Sequence, residues 1–206
     1  MRTGIFGGTF NPVHNGHRKL AEAYLSALQL DRLLIIPANI PPHKSDSGLA
    51  DGSHRLAMCR LAFVDEPQCE VSDLELKREG KSHTVDTLEQ LAMSCPTDRF
   101  FLIMGSDMFC SFTSWHRWQR ILQLAVICAG ARKACLTDSE MEDQRRKLEA
   151  LGACCELVEF EPLPISSTLV REKIYKGEAI DGLVAPTVSE YIREHGLYRS
   201  IFAVGE

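Results

Sequence analysis

The stretch Gly4-Ile5-Phe6-Gly7-Gly8-Thr9-Phe10-Asn11-Pro12-Val13-His14-Asn15-Gly16-His17 decides how the rest of the chain is read. A short apolar run, Thr3 to Phe6, predicts a buried strand. Gly7 and Gly8 follow it directly. With no Cβ in the way, glycine backbone lets N–H groups approach a phosphate closely. After Pro12, His14 and His17 stand three apart, on one face of the first turn of a predicted helix. The N-terminus of that helix adds partial positive charge. The combination predicts a polyphosphate site, with two imidazole donors on the charge that shifts during phosphoryl or nucleotidyl transfer. The glycine spacing is not the GxGxxG of an ordinary dinucleotide-binding turn.

Outward from that stretch, short apolar runs alternate with helical patterns, without repeats or low-complexity segments. This predicts an α/β fold: a Rossmann-like, doubly wound, mostly parallel sheet with helices on both faces. His17 to Leu28 carries Leu20, Ala23, Tyr24, Ala27 and Leu28 at helical spacing. Arg32–Pro37, Arg99–Met104, Leu122–Ala129 and Cys155–Phe160 read as further strands, and Cys69–Leu76 as a weak one near the sheet edge. Ser53 is a candidate cap for a helix from His54 to Asp65. Ser139–Leu151 reads as a charged amphipathic helix and Val188–His195 as a last one. A single domain over residues 1–206 is expected, with 161–206 as a C-terminal helical part.

Composition narrows the partners. The 206 residues carry a net charge of -5, which is no nucleic-acid footprint, since that normally needs a basic face, and which leaves room for a local basic pocket for phosphates. No apolar run approaches membrane-spanning length. The eight cysteines include no C-x-x-C pair and read as small buried hydrophobes in a reducing compartment. The strand at the very start leaves no room for a signal peptide, so a cytoplasmic protein is expected. Oligomeric state stays open, a homodimer included.

Several loops then offer ligand-binding groups. Open α/β sheets bind ligands beyond their strand C-termini, and Ala38-Asn39-Ile40-Pro41-Pro42-His43-Lys44 follows one of them. Asn39 can donate and accept, and Lys44 can place an ammonium on a phosphate. Residues 45–53 beside it are expected to act as a lid. Ser82-His83-Thr84-Val85-Asp86-Thr87-Leu88 starts a helix whose N-terminus suits an anion, with Ser82 or Thr84 as the cap. After the fourth strand, Gly105 lets a sugar approach the backbone and Asp107 can accept from ribose hydroxyls; Ser106 or Asp107 can also cap a helix. Trp115 and Trp118 are the only tryptophans and suit either core packing or ring stacking. In Ile165-Ser166-Ser167-Thr168-Leu169-Val170-Arg171, hydroxyls, free helix N–H groups and a guanidinium converge on one anion.

GGTFNPVHNGH resembles the signature of the HxGH nucleotidyltransferase superfamily. In this form it is similar to the bacterial nicotinate-nucleotide adenylyltransferases. ISSTxxR resembles the superfamily's partner motif, more than 140 residues away. PPHK after the second strand, S-x-T-x-x-T-L from Ser82, W-x-x-W from Trp115 and V-x-x-Y-I-x-x-x-G-L-Y from Val188 resemble the family pattern as well. His83 departs from it where an aromatic is common, and His116 where tyrosine is. Gly130-Ala131-Arg132-Lys133 stands in place of Arg-Pro-Gly, with Arg132 the only counterpart.

The resemblance implies transfer of an adenylyl group from ATP to nicotinate mononucleotide, by direct in-line attack without a covalent intermediate. It assigns His14, His17 and Arg171 to catalysis. Gly7, Gly8, Thr9, Phe10, His17, Gly105, Asp107, Ile165, Ser166, Ser167, Thr168 and Arg171 are assigned to ATP. Asn39, His43, Lys44, Thr84, Trp115, His116 through its backbone N–H, and Arg132 are assigned to the mononucleotide. Mg²⁺ is expected to arrive with ATP, bound by water and phosphate and without a dedicated protein cage. Same-fold enzymes acting on nicotinamide mononucleotide or a pantetheine phosphate are the nearest alternatives. A non-catalytic nucleotide sensor is a more distant one.

Overall fold

The computed structural model describes residues 1–39, 48–131 and 139–199. Within them, six strands form one sheet: β1 (Arg2–Gly8), β2 (Arg32–Pro37), β3 (Cys69–Val71), β4 (Arg99–Gly105), β5 (Ala125–Ala131) and β6 (Cys155–Glu159), in the order β3-β2-β1-β4-β5-β6. Every neighbouring pair is parallel, so the expected mostly parallel sheet is wholly parallel among the described residues. The order reverses between β1 and β4. That is the switch point at whose carboxyl ends an open α/β sheet leaves a crevice for ligands.

Helices α1 (Asn15–Ala27), α2 (Gly52–Ala62), α3 (Thr84–Ser94), α4 (Ser106–Cys110), α5 (Trp118–Leu124), α6 (Ser139–Ala150), α7 (Ser167–Tyr175) and α8 (Pro186–Glu194) cover both faces. Side chains alternate along each strand, so β4 feeds two cores at once. Phe101 and Ile103 join Tyr24 of α1, Met58 of α2, Val170 of α7 and Val188 of α8 on one face. Phe100, Leu102 and Met104 join Leu88 of α3, Phe109 of α4, Ile121 of α5 and Leu148 of α6 on the other. Burial on both faces is why the strands read as unbroken apolar runs.

Local expectations needed correction at three caps and two strand ends. β3 stops at Val71, and the chain then enters a turn rather than running extended to Leu76. Asp51, not Ser53, caps α2: its carboxylate accepts from the Ser53 N–H at 2.8 Å. α3 is preceded by His83, with no side-chain cap, because the Ser82 hydroxyl accepts from the Asn39 N–H instead, at 2.9 Å. α4 starts after Gly105 and takes no side-chain cap from Ser106 or Asp107. Leu122 to Leu124 close α5, so β5 begins only at Ala125. Of the cysteines, Cys59 and Cys128 are buried free thiols as expected, whereas Cys154 is exposed. No helix of the described residues is long and apolar enough to cross a membrane.

Candidate active site

The turn after β1 is shaped by two glycines with different jobs. Gly7 is exposed, and a Cβ there would meet nothing within 4 Å, which leaves its backbone open to a ligand. At Gly8 a Cβ would fall 2.9 Å from the Phe10 ring. Phe10 itself sits at φ 48, left-handed backbone that a bulky residue seldom adopts. Its ring is 2 % exposed and packs edge-on against Phe6 and His17, with centroids 5.5 and 5.0 Å apart. Burial of that ring folds the turn back under β1 and buttresses His17.

His14 is the residue that caps α1, one position earlier than its expected place in the first turn; His17 lies within that turn. Their rings stack with centroids 3.7 Å apart. The His14 backbone N–H donates to Nδ1 of His17 at 3.1 Å. A nitrogen that accepts carries no proton, so neutral His17 holds its proton on Nε2. Burial drives the His14 pKa down from 6.5 to about 4, so its ring is neutral at pH 7. Its Nδ1 is buried without a hydrogen-bond partner. Gly16 makes room for that ring, because a Cβ there would lie 3.0 Å from His14 Nδ1.

The far end of the chain closes directly onto this turn. Ser167 Oγ donates to the Pro12 carbonyl at 2.9 Å, and Arg171 Nη1 donates to the Asn11 carbonyl at 2.8 Å. Arg171 Nη2 reaches Thr168 Oγ1 at 3.3 Å, while its Nε is buried without a partner. Ser166 caps α7, accepting from the Leu169 N–H at 3.1 Å. Ile165 brings its carbonyl within 3.7 Å of the Cβ position at Gly16. The N-termini of α1 and α7 therefore lie side by side, with their positive dipole ends together. Asn15 fixes the arrangement by donating from its backbone to Leu183 at 2.8 Å and from its side chain to Gly182 at 2.9 Å. Imidazole, hydroxyl and guanidinium donors on two helix N-termini form a cradle suited to a polyphosphate.

A second group of residues gathers around the start of α3. Asn39 Nδ2 donates to the Arg78 carbonyl at 2.8 Å, so its amide joins the β2 loop to the approach of α3. Thr84 opens α3, half-buried, and the His83 and His116 rings touch with centroids 4.6 Å apart. Trp115 is half-buried beside Phe112 at 5.4 Å, and Trp118 meets the same ring edge-on at 6.5 Å. Arg117 and Arg120 grip Glu89 of α3 at 3.0 Å each. Gly105, with open space around it, and exposed Asp107 stand at the end of β4, across the switch point from Gly7. His43, Lys44 and Arg132 lie outside the described residues, as do residues 45–47 of the expected lid.

Two residues that sequence reading passed over hold these walls together. Asn11 Oδ1 accepts from Tyr198 Oη at 2.9 Å and from the Ala50 N–H at 3.0 Å, and its Nδ2 donates to the Gly48 carbonyl at 2.8 Å. Arg55, 1 % exposed, donates to the carbonyls of Thr9, Ala38, Asn39 and Ala50 at 3.0, 2.6, 3.1 and 2.9 Å. The available signal was its place on the inner face of α2 with Met58, Cys59 and Ala62, an arginine in an apolar stripe. Among the described residues no group of three or more His, Cys, Asp or Glu is placed to hold a metal ion.

With this geometry in place, comparison with known proteins gives the lineage. Residues 5–173 match the cytidylyltransferase-like family model. Proteins that carry the name probable nicotinate-nucleotide adenylyltransferase are similar across nearly the whole chain. That of Albidiferax ferrireducens is 39% identical, covering 97% of this chain and 98% of its own. That of Geobacter metallireducens is 38% identical, covering 96% and 98%. In fold, the chain resembles the Plasmodium falciparum nicotinic acid mononucleotide adenylyltransferase complexed with NaAD, with TM-score 0.77, 20% identity, and 96% and 97% of the two chains covered. The chain belongs to the cytidylyltransferase-like family and, within it, to the nicotinate-nucleotide adenylyltransferases.

Proposed function

We propose that this protein joins ATP and nicotinate mononucleotide to give deamido-NAD and pyrophosphate, in NAD biosynthesis. The observation that carries the site assignment is the meeting of Ser167 and Arg171 with the Pro12 and Asn11 carbonyls. That meeting supports reading the two motifs as halves of one polyphosphate cradle. An oxygen of the mononucleotide phosphate attacks the α-phosphorus of ATP in line, and the bond to the pyrophosphate oxygen breaks. A phosphate oxyanion is already a nucleophile, so no general base is required. Positioning and charge stabilisation then dominate, with orientation alone able to lower such a barrier by about 7–11 kcal/mol.

In this reading His17 donates from Nε2 to the charge that builds on the α-phosphate, and neutral His14 fixes the ring of His17. Gly7, Gly8, Thr9 and Phe10 line the nucleotide with backbone, and Gly105 and Asp107 face the adenosine ribose. Ile165, Ser166, Ser167, Thr168 and Arg171 hold the departing pyrophosphate. Asn39, His43, Lys44, Thr84, Trp115, His116 and Arg132 form the mononucleotide side.

The phosphate cradle offers N–H, hydroxyl, imidazole and guanidinium donors, whereas a hard cation prefers oxygen ligands. That donor set fits Mg²⁺ delivered on the nucleotide, held by phosphate oxygens and water, where it would neutralise phosphate charge. The free thiols of buried Cys59 and Cys128 support a cytoplasmic, reducing setting. The domain is proposed to run over residues 1–206 with 161–206 as its C-terminal part, since Val170, Val188 and Ile192 share a core with α1 and α2.

Pyrophosphate release with ATP and each of three acceptors tests the reading. Turnover with nicotinate mononucleotide should exceed that with nicotinamide mononucleotide or phosphopantetheine by at least about tenfold. ATP binding without pyrophosphate release from any acceptor would make the protein a sensor instead.

A further inference from the structure

We propose that Arg55 is a positioning residue that couples the two substrate half-sites, so that binding of either substrate strengthens binding of the other. The inference rests on the reading above that Thr9 faces ATP and Asn39 faces the mononucleotide. Arg55 touches neither substrate. Its guanidinium is buried behind the crevice floor, where four donor contacts end on carbonyls of three separate segments. Thr9 belongs to the turn after β1. Ala38 and Asn39 belong to the loop after β2. Ala50 precedes α2. Nη1 alone bridges the first two segments, reaching Thr9 at 3.0 Å and Ala38 at 2.6 Å.

The acceptors are all main-chain oxygens, so what the guanidinium fixes is loop geometry. A buried donor that loses its acceptor is strongly disfavoured. If the Thr9 turn shifts, the planar fork must follow or abandon a bond, and the Asn39 loop shifts with it. The same loops are tied a second time by the Ala38 N–H on the Gly8 carbonyl at 2.9 Å and the Ala50 N–H on Asn11 Oδ1 at 3.0 Å. From Asn39 the link continues to α3, through the Ser82 hydroxyl at 2.9 Å and the Arg78 carbonyl at 2.8 Å. A ligand that orders one loop therefore lowers the ordering cost of the other, which is positive coupling carried by the protein.

The test measures the dissociation constant of α,β-methylene ATP with Mg²⁺, alone and at saturating nicotinate mononucleotide. In the wild type the mononucleotide should tighten the analogue by roughly tenfold, within the usual range for coupled sites. Arg55→Lys keeps the charge but loses the fork. Its coupling should fall to within about twofold of none, while each ligand alone loses less than about fivefold. Loss of packing alone would lower Tm without removing the coupling. Should the variant not fold, hydrogen exchange on the wild type decides. The analogue alone should slow exchange at the amides of Ala38, Asn39 and Ala50, and the mononucleotide alone at Gly8 and Thr9. Wild-type coupling under twofold, coupling retained in Arg55→Lys, or protection confined to each ligand's own loop would overturn the proposal. If the analogue binds and the mononucleotide does not bind at all, the functional reading falls and this inference with it.

Discussion

Arg171 donates from Nη1 to the backbone carbonyl of Asn11 at 2.8 Å, across 160 residues of chain. One arm of this guanidinium is thus fixed on the turn that carries the histidines, and its buried Nε has no partner. The cation is thereby held at the seam between α1 and α7, where two helix N-termini already favour an anion. Four predictions follow from the groups assembled on that seam and on the wall facing it.

In the proposed reaction, His17→Ala removes one donor from charge that develops only in the transition state. Turnover should fall on the order of 10²–10³-fold, with the KM for ATP changed much less. Steady-state kinetics on the purified variant checks this. Near-normal turnover would remove His17 from the chemistry.

Gly16→Ala probes the same pair indirectly. The added Cβ would sit 3.0 Å from His14 Nδ1 and 3.1 Å from its Cε1, so the imidazole must move by a few tenths of an ångström. His14 stacks on His17, so the displacement is passed on. A drop of about tenfold in kcat is expected, given how steeply rate depends on position. Circular dichroism should show the fold retained. An unchanged kcat would mean that the His14 ring does not set the position of His17.

Burial of His14 also makes stability depend on pH. Its pKa is 6.5 in the unfolded chain and about 4 in the fold. Between those values the unfolded chain holds a proton that the folded one does not, so stability falls as pH drops through this window. The stabilisation is fully present above pH 6.5, and the loss by pH 4 is on the order of 3 kcal/mol. Urea unfolding of the ligand-free protein at several pH values should show it. His14→Gln, which cannot titrate, should show a correspondingly flatter profile. Parallel profiles for the two proteins would contradict the burial argument.

Trp115→Ala addresses the opposite wall. Trp115 is half-buried against Phe112, and in the proposed reading its indole stacks on the pyridine ring of the mononucleotide. If that stacking is ground-state binding, the KM for nicotinate mononucleotide should rise by about tenfold or more, with kcat nearly kept. A variant with wild-type KM and lowered Tm would place Trp115 in the core alone.

How much of this was legible in the chain depends on the range of the force that fixes each part. Strands such as Phe100–Met104 announced themselves, because burial on both faces leaves an unbroken apolar run. The meeting of the two motifs proposed for phosphate could be anticipated for a similar reason, since glycine, hydroxyl and imidazole spacing is local chemistry, and Ser167 and Arg171 do reach the Pro12 and Asn11 carbonyls. The end of α5 was not: Leu122-Gln123-Leu124 runs straight into Ala125-Val126, and only tertiary packing marks where helix becomes strand. Asp51 against Ser53 was a choice between two good capping residues two positions apart. Asn11 and Arg55 were missed because their partners are carbonyls of distant loops, and a carbonyl carries no sequence signature. Phe10 was read for its backbone, whereas the buried side chain shapes the turn.

The central claim is that the paired histidines and the Ser-Ser-Thr…Arg cluster act on one nucleoside triphosphate. A crystal structure with Mg²⁺ and α,β-methylene ATP measures this directly. His17 Nε2 should lie about 3 Å from an α-phosphate oxygen, with the first N–H groups of α7 and Arg171 on the β- and γ-phosphates of the same molecule. A triphosphate bound to only one of the two motifs would contradict the account.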